Sequence, residues 1–221
     1  MTVILGYLSL MEKLLFSCPA NYFIAGMSNS GKSYWVFKLL QHKNSLFQKP
    51  PVKILYCYSI WQPLYEKMEN DMDIHFYKGL PTYEDLQKFG NATEHNLICL
   101  DDLQHEIANS KTIEKLFTQL CHHLCISVLY ITQNLFYQGK CSRTLHLNTS
   151  YNILLRNHRN IQQIAILGRQ VGLGKKLVEA YRDATERPYG YLVLDVSPSS
   201  TTDLQLRTNI FPDEKPVVVY K

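Results

Sequence analysis

The stretch Gly26-Met27-Ser28-Asn29-Ser30-Gly31-Lys32-Ser33 constrains this chain more than any other part of it. It spells G-x-x-x-x-G-K-S, with an apolar run of strand length before it (Tyr22-Phe23-Ile24-Ala25) and apolar residues at helical spacing after it (Tyr34 to Leu40). Strand, glycine-rich turn and helix together are the context in which such a loop cradles phosphate. Gly26 and Gly31 permit backbone angles closed to other residues, so successive N–H groups can curl around a β-phosphate, and the helix beginning there adds its positive end. In this reading Gly26 through Ser33 form the cradle, Lys32 reaches the β- and γ-phosphates, and the Ser33 hydroxyl takes a place on Mg²⁺. The expectation is a nucleoside triphosphate site for ATP and Mg²⁺. The bland alternative is a Gly/Ser-rich turn before an ordinary helix.

The rest of the chain alternates strands and helices. Strand-like runs recur at Lys53–Tyr58, Ile74–Tyr77, Asn96–Leu100, Ile126–Thr132, Tyr151–Leu155 and Tyr191–Val196. Helical stretches fall at Pro63–Glu69, after the Thr82-x-x-Asp85 cap, after Ser110, and over Ile161–Arg169 and Gly174–Arg182. Runs such as Asn96–Leu100 are almost wholly apolar, as strands covered on both faces must be. The alternation predicts an α/β fold with a mainly parallel sheet flanked by helices, its ligands at the carboxyl ends of the strands. At 221 residues one domain suffices. We divide the chain into an N-terminal extension over 1–15, the nucleotide-binding domain over 16–197 and an irregular tail over 198–221.

Two more elements complete the expected site. Asp101-Asp102 closes a buried strand: Asp101 is placed to hold Mg²⁺, and Asp102 to polarise the attacking water as a general base. Asp also caps helices, and that reading of Asp102 stays open here. Gln133, at the tip of the next strand, can orient the water or sense departure of the γ-phosphate. An arginine finger would contribute about a thousandfold or more to turnover. The candidates Arg143, Arg156, Arg159 and Arg169 all follow Gln133, and we favour Arg143 in the loop Lys140–Thr144. A finger acting on a neighbouring subunit requires a ring or similar head-to-tail assembly.

Composition narrows the partners only slightly. The formal charge of +4 fits contact with a polyanion but falls short of a nucleic-acid-coating protein. The Arg156-Asn157-His158-Arg159-Asn160 loop could touch DNA phosphates, although such loops are usually just exposed. The six cysteines are scattered, which suits a reduced intracellular setting. Cys121-His122-His123-Leu124-Cys125 lacks the spacing and the second ligand pair of a structural zinc site. Met1–Leu10 is apolar but lacks a basic start and is too short to span a bilayer, and Met11 is an alternative start. No membrane association is expected.

Gly26–Ser33, then Ile98-Cys99-Leu100-Asp101-Asp102-Leu103, then Ile131-Thr132-Gln133-Asn134-Leu135-Phe136 and Ser142-Arg143-Thr144 with Leu147-Asn148, resemble the genome-packaging ATPases of the FtsK-HerA superfamily. Within it they look like the poxvirus-type branch found in Polinton/Maverick elements and adintoviruses. Arg159-Asn160 with Gln162–Ala165, and Leu206–Pro212, look like that branch too. The resemblance runs from Phe16 to Pro212. It implies a RecA-like P-loop core that hydrolyses ATP and, as a homo-oligomeric ring, drives double-stranded viral DNA into a preformed capsid at its vertex. It also implies work inside the host cell, in the nucleus or where virions assemble. Many relatives carry Glu where Asp102 stands. The competing classes are a P-loop nucleotide or nucleoside kinase, for which no arginine-rich lid is evident, and a regulatory protein that binds ATP without turning it over. No N-K-x-D occurs, which argues against a guanine switch.

Overall fold

The computed structural model describes residues 13–157, 159, 161–214 and 216–221, and places nine strands in one sheet. In chain order these are β1 (Asn21–Ala25), β2 (Lys53–Tyr58), β3 (His75–Lys78), β4 (Asn96–Asp101), β5 (Ile126–Thr132), β6 (Tyr151–Leu155), β7 (Tyr191–Asp195), β8 (Leu206–Thr208) and β9 (Val218–Val219). Across the sheet they run β3-β2-β4-β5-β1-β6-β7-β8-β9. The pairs from β3 to β6 are all parallel, because helical crossovers separate these strands in sequence. Their carboxyl ends therefore share one rim.

Burial on both faces explains the apolar strands. Along β1, Tyr22 and Ile24 join one core with Trp35, Val36, Tyr65 and Met68 of the helices Lys32–Gln41 and Pro63–Asp71. Phe23 and Ala25 point the other way, into a core built with Leu86, Ile113, Leu116, Phe117, Ile164 and Leu177. One sheet thus divides two helical layers, the usual solution for parallel strands. The Thr82 cap is present as a capping box: Thr82 Oγ1 accepts from the Asp85 N–H, and the Asp85 carboxylate accepts from the Thr82 N–H.

Several local expectations change. The helix capped by Ser110 runs as α-helix only over Lys111–Lys115, widens to a π-helix over Leu116–Leu120 and resumes at Cys121–His123. There the Phe117 carbonyl accepts from the Asn21 side-chain amide at 3.0 Å and from the Cys121 thiol at 3.3 Å, so groups from outside the backbone ladder enter the helix at the wide turn. The loop read over Lys140–Thr144 turns helical from Ser142, in a helix that runs Ser142–Leu147.

The stretch 198–221 is not irregular throughout. β7 pairs antiparallel with β6, and β8 and β9 extend the sheet antiparallel beyond it. The fastening is Arg207, fully buried, whose guanidinium donates to Asp195 Oδ2 and the Leu204 carbonyl, each at 3.0 Å. Asp195 Oδ1 in turn accepts from the Ser197 N–H and hydroxyl. Further on, Phe211 packs on Trp35 and Tyr191, while Lys38 pairs with Asp213 and Glu214. This segment is clamped to the helix that carries Lys32. The apolar run Met1–Leu10 and Met11 lie outside the described residues.

Candidate nucleotide site

The loop after β1 is shaped by its two glycines. At Gly26 a Cβ would stand 2.5 Å from Ser30 Oγ and 2.8 Å from Leu155 Cβ, so only glycine lets the chain close so tightly at the strand end. Gly31 has φ 93°, in the left-handed region, and is the N-cap of the helix Lys32–Gln41. The Ser30 N–H returns to the Met27 carbonyl at 3.2 Å. Lys32 Nζ donates to the Gly26 and Met27 carbonyls, both at 3.0 Å, which holds the ammonium over the loop. Burial lowers the Lys32 pKa, while Asp101 and Asp102 oppose that by their charge.

Asp101 ends β4 with 3 % exposure. Its Oδ2 accepts three hydroxyls: Ser33 at 2.8 Å, Tyr56 at 2.6 Å and Tyr65 at 3.0 Å. Burial raises its pKa above the ordinary carboxylate value, and these hydrogen bonds work against the rise. A buried carboxylate with hydroxyl donors and, among the described residues, no ion pair is the donor set expected of a hard divalent cation site, since oxygen ligands and negative charge both favour Mg²⁺. The residues present fit that ion, and Ser33 and Asp101 would be its protein ligands.

β5 lies between β1 and β4 in the sheet, so its tip falls between the loop and the acids. Gln133 follows that tip and accepts from Ser28 Oγ at 3.0 Å, a direct link from phosphate loop to amide. Its neighbours are fixed on either side: Thr132 Oγ1 donates to Gln104 Oε1 at 3.0 Å, and Gln163 Nε2 donates to Asn134 Oδ1 at 2.6 Å. Asp102 is exposed at φ 56°, a conformation Asp tolerates better than most residues. It caps nothing, since the N-cap of the next helix, Gln104–Ile107, is Leu103 without a side-chain bond. Ser28, Asn29, Gly31, Lys32, Ser33, Asp101, Asp102 and Gln133 all line one open cleft of ≈ 250 Å³.

Arg143 is not among them. It is exposed at the start of the helix Ser142–Leu147 and lines a separate groove of ≈ 700 Å³ with Phe136, Tyr137 and Leu147. It does not line the cleft of its own chain. In the basic loop, the Asn157 N–H donates to the Tyr181 hydroxyl at 2.7 Å and Arg159 is exposed, whereas His158 and Asn160 lie outside the described residues. Among the described residues no three Cys, His, Asp or Glu side chains cluster as a metal site, and no helix is long and apolar enough to cross a membrane.

Tyr56 and Tyr65 are not among the site residues expected from the sequence. Neither carried a signal, because what brings them to Asp101 is the β2–β4 register, with Tyr56 beside Cys99, and the placement of the helix Pro63–Asp71.

A parallel sheet with a glycine loop and buried acid at one rim makes this chain an α/β protein of the P-loop NTPase fold. No protein-family model and no curated protein matches the sequence. Solved structures do: the chain is similar to the genome packaging NTPase B204 of Sulfolobus turreted icosahedral virus 2 in complex with AMP, at TM-score 0.54 and 13 % identity over 92 % of this chain and 97 % of that one. The complexes of that protein with ATP-gammaS and AMPPCP match at 0.53 and 0.51, at the same identity and with 91 % and 92 % of this chain covered, and 97 % of theirs. At this identity the likeness establishes the fold.

Proposed function

We propose that the chain is an ATP-hydrolysing motor that, as a head-to-tail homo-oligomeric ring, moves double-stranded viral DNA into a capsid. One observation carries the enzymatic part: Lys32, Ser33, Asp101, Asp102 and Gln133, from three neighbouring strand ends, meet around a single cleft. In this reading the loop and Lys32 hold the β- and γ-phosphates, and Ser33 and Asp101 hold the ion. Held by Ser33 and Asp101, Mg²⁺ would supply positive charge against the phosphate oxygens. Gln133 orients a water whose oxygen attacks the γ-phosphorus while the bond to the β–γ bridging oxygen breaks and ADP leaves. Asp102 accepts the water's proton. The Ser28–Gln133 hydrogen bond would report the change at the γ-phosphate to β5 and its loop.

The packaging role is supported by the resemblance of Thr132-Gln133-Asn134-Leu135-Phe136 and its companions to the packaging ATPases, and by the likeness of the whole fold to a viral genome packaging NTPase. Arg143, which lines another groove and not its own cleft, is the candidate to complete a neighbour's. The test is hydrolysis with and without double-stranded DNA. DNA should raise the rate, Lys32→Ala and Asp101→Ala should fall to background, and mixing Arg143→Ala with Asp102→Asn subunits should restore part of the activity. Indifference to DNA with phosphorylation of a small acceptor would replace this reading with a kinase. Failure to restore activity, with both variants folded and assembled, would remove Arg143 from its role.

A further inference from the structure

We infer that Tyr189 is the stacking platform for the nucleotide's base, a role that rests on the nucleotide reading of the neighbouring cleft. β7 runs antiparallel to β6, so the turn entering it arrives at the rim where the parallel strands end, beside the phosphate loop. That turn is closed by the Gly190 N–H on the Arg187 carbonyl at 3.0 Å. It holds Tyr189 at φ 62°, a conformation that is strained for an aromatic residue. The ring edge stands against Gly31: a Cβ there would lie 2.9 Å from Tyr189 Cδ1 and 3.8 Å from Cε1.

Core packing does not explain this arrangement. Tyr189 is 68 % exposed, and among the described residues it makes neither a hydrogen bond nor a ring contact. Strain kept without burial in return points to a task outside the fold. Direction supplies the task. The metal end of a triphosphate is fixed by Ser33 and Asp101, and β4 and β5 lie on one side of β1, while β6 and β7 lie on the other. A nucleotide with its γ-phosphate between Asp101 and Gln133 extends its nucleoside the opposite way, past Gly31, to where Tyr189 stands. An aromatic face there suits a planar base of either purine type, and stacking of this kind tolerates different bases.

The experiment compares wild type, Tyr189→Ala and Tyr189→Phe for binding of Mg·ATP and Mg·tripolyphosphate. Tyr189→Ala should weaken ATP by about 5- to 150-fold, the range expected for one lost base stack, and leave tripolyphosphate unchanged, while Tyr189→Phe keeps both. Equal weakening of both ligands, or undiminished ATP binding, overturns the assignment. Wild-type protein that binds neither ligand refutes the nucleotide reading and Tyr189's role with it. As a measurement free of variants, photolabelling of the wild-type protein with 8-azido-ATP should mark the tryptic peptide 183–207. Label confined to other peptides overturns the proposal.

Discussion

Asp101 shows how one residue's chemistry is set by what surrounds it. Taking a carboxylate out of water disfavours its charge, and three hydroxyls on a single oxygen restore part of what is lost. Hydrogen bonds to a charged acceptor contribute about 1.5–3 kcal/mol each, more than neutral ones. Tyr56→Phe should therefore lower stability by roughly 1–3 kcal/mol in urea unfolding, and by clearly less in an Asp101→Asn background, where the acceptor is neutral. Equal costs in the two backgrounds would show that the tyrosine matters only as packing. His95 is the counterpart just before the opposite end of β4, with Nδ1 2.6 Å from the Lys49 carbonyl oxygen and Nε2 2.8 Å from Ser127 Oγ. Burial is the main cause of its lowered pKa, and the charge of Lys49 adds to it against a hydrogen bond to the Lys49 carbonyl. The folded form thus resists protonation. The stability His95 contributes is present above its unfolded value near 6.5 and is lost as pH falls through the lower folded pKa. Melting temperatures taken from pH 8 down to 5 should fall more steeply for the wild type than for His95→Gln, and parallel profiles would contradict this.

At the scale of elements, the informative case is the run from β7 to β9. Its strands are short, and β8 is held by a buried ion pair as well as by its ladder. Arg207→Ala leaves Asp195 buried without its partner. Breaking such pairs typically costs about 3–5 kcal/mol, so urea unfolding should register a loss of that size, and a loss below about 1 kcal/mol would mean that β8 does not depend on the pair. This also marks where sequence reading stops. β1, β4, β5 and β6 were legible because a strand covered on both faces must be apolar throughout, and the glycine loop, Asp101-Asp102 and Gln133 were legible because each is tied to a strand end. A three-residue strand whose anchor is an arginine offers no periodicity to read, and arginine ordinarily signals surface. The helix Ser142–Leu147 was hidden for a similar reason, since it begins without a side-chain cap. Tyr56 and Tyr65 reach Asp101, and Tyr189 comes to stand beside Gly31, through register and topology, which no local pattern encodes.

At the scale of the whole molecule, strand order does the organising. With β5 inserted between β1 and β4, the loop, the glutamine and the acids stand side by side at one rim, and Ser33 still reaches Asp101 across the intervening strand. The turn entering the antiparallel extension sets Tyr189 beside Gly31, and its closing segment grips the Lys32 helix through Lys38. Arg143 lines a separate groove and not the cleft, which is why the proposed function assigns it to a neighbouring copy. The central claim is that this rim holds a magnesium-bound triphosphate, and a crystal structure with Mg²⁺ and a non-hydrolysable ATP analogue tests it most directly. The account predicts that Lys32 Nζ leaves the Gly26 and Met27 carbonyls for the β- and γ-phosphate oxygens, with the ion between Ser33 Oγ and Asp101. An analogue bound elsewhere, or one in the cleft with Lys32 still on those carbonyls and no ion at Asp101, would contradict it.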